Sequence, residues 1–305
     1  MKKPLFVTFL LLGYATGLHG QEAKRHTWLD TMHSSIADSV NSTAQWFDDF
    51  FIMAEGDLDP KALGEARIRL GWEPRSRDLA EFDTRFRLRF KLPNLKNRVD
   101  VVVSDYDDTA PDSDDRVART SDREQQERFS LALQWQAKPN SGLSHRIGVG
   151  RRLQAFVKSR YRDAFDLFPS TEIRWETSAY YYSSDGFGAN FSALLNHQID
   201  PQALFRFDNN FYYRDESEDW LWQHSWQYLR QLDEKTAMVY GYYIEGLDQP
   251  NYQLNEHLVS MRFRKNTLRE WLFFEIEPFI LWRRDEDFNP SYGIALRIEG
   301  YFDKK

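Results

Sequence analysis

Between Phe82 and Leu92 the chain alternates without a break. Phe82, Thr84, Phe86, Leu88, Phe90 and Leu92 take one parity, and Asp83, Arg85, Arg87, Arg89 and Lys91 take the other. Successive side chains of a β-strand point to opposite faces, so a period of two over this length predicts a strand with one apolar and one charged face. The same rhythm returns in Ala66, Ile68, Leu70 and Trp72 against Arg67 and Arg69, and in Thr171, Ile173, Trp175 and Ala179 against Glu172, Arg174, Glu176 and Ser178. It continues to the end, in Leu272, Phe274, Ile276, Ile280 and Trp282 against Glu275, Glu277 and Arg283, and in Ile294, Leu296, Ile298 and Phe302 against Arg297 and Glu299. Turn-forming pairs such as Pro93-Asn94, Asp185-Gly186 and Asp200-Pro201 separate the runs. Beyond this rhythm there is no long internal repeat.

Two structures satisfy the pattern: a soluble sandwich with its apolar face in a core, or a membrane barrel with its apolar face in lipid. The charged parity decides between them. Arg67, Arg69, Arg85, Arg87, Arg89, Lys91, Glu275, Glu277, Arg297 and Glu299 would share one interior, and so many charges tolerate enclosure only when wet or paired. Aromatic residues make up 16% of the chain, and several stand near run ends: Trp72, Tyr106, Trp135, Tyr213, Trp220, Trp271, Trp282 and Tyr301. Aromatic girdles at both interfaces mark a transmembrane barrel. Mean hydropathy is −0.67, which excludes several membrane helices but averages two opposite barrel faces together.

The N-terminus reads as an address. Met1-Lys2-Lys3 is basic, Leu5–Leu12 is apolar but too short to span a bilayer, and Ala15, Gly17 and Gly20 offer small residues for cleavage. Residues 1–20 are therefore expected to be a secretory signal peptide. Without Lys2 and Lys3, the net charge of −7 becomes −9. Residues 21–60 form a second region. Within 27–52, Leu29, Met32, Ile36, Val40, Phe47 and Phe50 recur at spacings of three, four or seven, the stripe of an α-helix, before Gly56 and Pro60 end it. This segment is expected to be a periplasmic cap or a plug in a lumen, and a contact for periplasmic partners. Residues 61–305 are the expected barrel.

A resemblance enters at the C-terminus. Ser291-Tyr292-Gly293-Ile294-Ala295-Leu296-Arg297-Ile298 resembles the assembly signal of Gram-negative outer-membrane β-barrel proteins, a polar-x-Gly-x-x-apolar-x-apolar pattern near the end of the last strand. Gly293, Leu296, Ile298 and Phe302 carry the likeness, although Asp303-Lys304-Lys305 follow where many family members stop at an aromatic residue. The resemblance implies the outer membrane as location, its lipids as surroundings and the outer-membrane assembly machinery as a partner.

The expected fold class is all-β, an antiparallel up-and-down barrel. Thirteen runs are evident if residues 143–160 form one strand. Bacterial barrels have even numbers, so a turn near Arg152-Leu153-Gln154 predicts fourteen strands, with twelve as the alternative. The acidic stretch 105–125 then becomes an extracellular loop. Calcium-binding order is missing from it, so a solvated acidic loop is expected.

Closure sets the last strand beside the first. The basic ladder of Arg67 to Lys91 is therefore expected to meet Glu275, Glu277 and Glu299 across the seam, as a paired network or as a charged constriction. The absence of cysteine excludes disulfides, Cys-ligated metals and a thiol nucleophile. No phosphate loop or His-x-x-x-His motif is present, an acidic chain argues against nucleic acid, and no cofactor, metal or catalytic residue is assigned. Three roles stay open, in this order: a narrow or occluded pore for small polar solutes, a lipid-modifying barrel enzyme, and a structural or assembly barrel.

Overall fold

The computed structural model describes residues 64–79, 82–91, 99–104, 130–136, 142–215, 217–269 and 271–304. The expected signal peptide, the 27–52 helix, the acidic stretch 105–125, Tyr106 and the Pro93-Asn94 turn lie outside the described residues.

The described residues form fourteen strands: β1 (Gly64–Trp72), β2 (Phe82–Lys91), β3 (Val99–Ser104), β4 (Ser130–Gln136), β5 (Leu143–Val149), β6 (Ala155–Phe168), β7 (Thr171–Tyr182), β8 (Gly186–Asp200), β9 (Ala203–Arg214), β10 (Asp219–Asp233), β11 (Thr236–Leu247), β12 (Gln253–Asn266), β13 (Leu272–Arg283) and β14 (Ser291–Lys304). Each pairs antiparallel with its neighbours in sequence, and β14 closes on β1. The closing register sets Arg67 opposite Tyr301 and Arg69 opposite Glu299. Closure leaves no free edge, the only way a sheet satisfies its backbone within hydrocarbon. Fourteen strands about 4.8 Å apart and tilted by about 40° enclose a backbone cylinder roughly 28 Å across.

The run at 143–160 does split where a turn was expected. A 3-10 turn at Arg151–Leu153 parts β5 from β6, with Arg152 and Leu153 at φ of 53° and 58°. Gln154 fastens this turn to the next one on the same rim: its Nε2 donates to Asp185 at 2.8 Å, and its Oε1 accepts from the backbone amides of Ser184 and Asp185.

The two ends of the barrel differ. At the end holding both chain termini, two-residue turns link β6 to β7, β8 to β9 and β10 to β11. Asp200 accepts the amide of Gln202 at 2.8 Å and Asp233 that of Lys235 at 2.7 Å, the local bond that makes Asp a turn former. At the opposite end the described connections are longer, up to residues 284–290. Short turns face the periplasm in outer-membrane barrels, which orients the chain.

Alternation becomes inside and outside. Leu70, Leu133, Ile147, Ile276, Ile294, Leu296 and Ile298 are exposed on the outer surface, while Arg69, Arg146, Arg206, Glu277 and Glu299 on the other parity are buried. The inner surface is not uniformly polar. Toward the long-loop end, Ala132, Phe156, Tyr180, Tyr182 and Tyr212 pack as one cluster, with Leu221 against it. Tyr243, Leu258, Phe279, Leu281 and Ala295 form another. Tyr180 stacks on Tyr212 at 5.8 Å, an arrangement that adds about 0.5–1.5 kcal/mol beyond the area buried.

Candidate functional site

Charge on the inner wall is organised in two arcs. The first spans β12, β13, β14 and β1, where Arg67, Arg69, Arg262, Arg264 and Arg297 meet Glu73, Glu275, Glu277 and Glu299. Glu299 is the hub: one carboxylate oxygen accepts from Arg67 and lies 3.7 Å from Arg69 Nε, and the other accepts from Arg264 at 2.6 Å. Arg264 also donates to Glu275 and to the Tyr301 hydroxyl at 3.0 Å, and its guanidinium lies 4.2 Å over the Phe273 ring. Arg297 donates to Glu277 at 2.7 Å, to Glu275 at 3.2 Å and, beyond the end of β1, to Glu73 at 2.8 Å. Arg262 and Ser260 complete the shell of Glu277 at 2.9 and 2.7 Å. Solvent does not reach Arg264, Glu277 or Glu299, so these charges persist only because each carboxylate is surrounded by donors.

This differs from the expected seam in one respect. Of the basic ladder, only Arg67 and Arg69 of β1 reach an acid of the last strands, Glu299. On β2, Arg85 pairs with Asp83 at 3.1 Å and Arg89 with Asp100 at 2.6 Å, both local partners. Arg87 stands opposite Arg67, and Lys91 stands opposite Asp100 in register. The partners of Glu275 and Glu277 come from β12 and β14, because hydrogen-bonded neighbours in an antiparallel sheet are nearer than a strand two places beyond the seam.

The second arc runs from β1 to β6 and is predominantly basic. Arg67, Arg69, Arg85, Arg87, Arg89, Arg146, Lys158, Arg160 and Arg162 occupy inward positions, against Asp83, Asp100 and Asp166. Arg146 donates to Gln134 at 2.8 Å, and Arg160 lies 3.8 Å from Glu176 on β7. Farther round, Arg174 pairs with Glu172 at 2.9 Å, and Arg206 with Asn196 at the same distance.

Of the assembly-signal residues, Leu296 and Ile298 are exposed outside, and the backbone of Phe302 pairs with Ala66. Gly293 has a local reason: a Cβ there would stand 2.2 Å from the Phe279 ring. Tyr301, expected in the aromatic girdle, instead points inward and is buried beside Arg264. Its parity with Arg297 and Glu299 is the signal that overrides its position near a strand end. Tyr180, Tyr182, Tyr212, Tyr243 and Phe279 were not anticipated inside; the parity of Glu176 and Ser178, carried on to Tyr180 and Tyr182, would have placed two of them.

The histidines of the described residues all face outward. His145 Nδ1 lies 2.9 Å from Ser159 Oγ, and His197 Nδ1 lies 2.9 Å from Thr171 Oγ1. His224 lies 2.8 Å from Asn209, and His257 stacks on Trp282 at 4.6 Å. Among the described residues, no group of three or more His, Asp or Glu side chains is placed to hold a metal ion.

No protein-family model matches the chain, and no curated protein matches it. Among solved structures, the chain is similar to the outer membrane channel DcaP of Acinetobacter baumannii, with 7% identity over 78% of this chain and 96% of that one and a TM-score of 0.47. OccD1 (OprD) gives 10% identity over 83% and 98%, with a TM-score of 0.45. The NanC porin gives 12% identity over 79% and 100%, with a TM-score of 0.40. Independently of those likenesses, a closed antiparallel barrel, banded by apolar side chains outside and lined by charge within, is the architecture of an outer-membrane protein, and this chain has it.

Proposed function

We propose that the barrel is a narrow pore for small polar solutes, with a preference for anions. The observation that carries this reading is the charge of the arc from β1 to β6, where inward arginines and a lysine outnumber Asp83, Asp100 and Asp166. Rings of basic side chains select anions by lowering the electrostatic cost of their entry. The arc from β12 to β1 supplies the opposite condition, a wall whose charges are spent on one another and held rigid. Because most inward side chains are buried, the aqueous path is narrow.

Planar-bilayer recording under a salt gradient tests the proposal. The expected result is a small conductance with a reversal potential of anion-selective sign, reduced when Arg85 and Arg160 are replaced by Gln. Silence both in the whole mature chain and in a variant lacking residues 21–60 would remove the pore reading.

One observation favours a second reading. The His145–Ser159 pair faces lipid, where a serine activated by a histidine could attack an acyl ester. A hydrolase on this pair predicts lipid turnover that Ser159→Ala abolishes; turnover unchanged by that substitution, or none at all, would dismiss it.

A further inference from the structure

The outward faces of the barrel are not equivalent. β14 presents Ile294, Leu296 and Ile298 to lipid, whereas β9 and β10 carry Asn209 and His224 among aromatic rings. The depth of this polar pair matters. Tyr213 and Trp220 face each other at the long-loop rim, and Asn209 and His224 each lie four residues farther into the barrel. At about 3.3 Å per residue and a tilt of about 40°, the pair sits roughly 10 Å below the rim, inside a band about 25 Å tall. The other outward histidines lie nearer strand ends: His197 faces the first residue of β7, and His257 faces the penultimate residue of β13.

The hydrogen-bond geometry leaves a donor and an acceptor over. Asn209 Oδ1 is an acceptor only, so His224 Nδ1, 2.8 Å away, carries the hydrogen. In a neutral ring that makes Nε2 a bare acceptor. Asn209 Nδ2 has one contact, a long 3.5 Å approach to the Ala193 carbonyl, and so retains donor capacity. Hydrocarbon satisfies neither atom, and polar groups at this depth in a membrane face other protein. Around the pair, Phe207, Trp226 and Tyr242 stack in sequence at 5.2 and 5.7 Å with interplanar angles of 24° and 22°, which makes a flat aromatic surface.

We infer that this face is the contact between two copies of the chain. A two-fold axis along the membrane normal would set Asn209 of each copy opposite His224 of the other. The spare donor and the spare acceptor then satisfy each other twice. One surface is self-complementary in both shape and hydrogen bonding, which is what an isologous interface requires.

Because the chain has no cysteine, single-cysteine variants report on the contact without background. Phe211→Cys, on the proposed face, is expected to yield dimers with a short bismaleimide, and Val101→Cys, on β3, is expected not to. Native mass spectrometry from nanodiscs should show two copies for the unmodified protein. Asn209→Leu/His224→Leu should weaken association about tenfold, the loss of two hydrogen bonds of modest strength in a membrane. The exchange Asn209→His/His224→Asn should restore it. Heat-dependent gel mobility shows whether each variant is folded. A monomeric parent protein, equal association of the leucine variant when folded, equal crosslinking at Phe211→Cys and Val101→Cys, or crosslinks only to a different protein would each overturn the inference.

Discussion

Arg264 on β12 and Glu299 on β14 are bound at 2.6 Å across the whole width of β13, and neither is reached by solvent. The same carboxylate also accepts from Arg67 on β1, so one glutamate fastens the strands on both sides of the closure. Replacing Arg264 with Met leaves Glu275 and Glu299 buried with fewer donors. Removing one partner of a buried pair costs about 3–5 kcal/mol, and that is the expected loss of stability in urea titrations of the barrel folded in lipid vesicles. Adding Glu299→Gln to Arg264→Met should recover part of it. An unchanged midpoint would show that water enters the network.

Gly293 tests whether the assembly-signal glycine has a packing role. A Cβ at this position meets the Phe279 ring at 2.2 Å, so Gly293→Ala forces the ring from its place between Leu281 and the strand beneath. Overpacking of this kind costs about 1–3 kcal/mol. Combining Gly293→Ala with Phe279→Leu should restore stability, measured by the same titration. If assembly in cells fails equally with and without Phe279→Leu while the purified barrels are stable, the glycine acts through recognition.

Asp100 is one of few acids on the basic arc, where it neutralises Arg89 at 2.6 Å. Asp100→Asn should shift the reversal potential further toward anions. Arg230→Ala should leave it unchanged, since that pair with Asp200 is exposed at the periplasmic rim. A shift of equal size in both would mean that net charge, rather than the inner wall, sets selectivity.

The connections β1–β2 and β13–β14 clasp each other above the seam. Arg75 donates to Glu286 at 2.6 Å, and the Ser76 amide donates to the Tyr292 carbonyl at 2.8 Å. Arg75→Ala should speed tryptic cleavage after the exposed Arg77 on intact cells while leaving the unfolding midpoint of the barrel in place. Loss of both together would make the clasp part of the cooperative fold.

Much of this architecture is legible from parity. The strand starting at Phe82 and the last strand both read as two-faced, and both are. The split at Arg152 was anticipated from the even strand count. Parity fails as a guide where position competes with it. Tyr301 stands near a strand end, like a girdle residue, yet its neighbours Arg297 and Glu299 share its face and carry it inside. Gly293 belongs to a motif, and only the ring of Phe279 reveals why a side chain does not fit there.

By itself the sequence determined that this chain has one apolar and one charged surface, hence a sheet that lipid obliges to close. That follows from a period of two and from the cost of unpaired backbone in hydrocarbon. Which charges meet was decided only by tertiary structure. Arg67 and Glu299 lie 232 positions apart in the chain. Their contact depends on the register of the closing strands and on β12 offering Arg264 from the other side. Local pattern sets the face a side chain takes; only closure sets its neighbour.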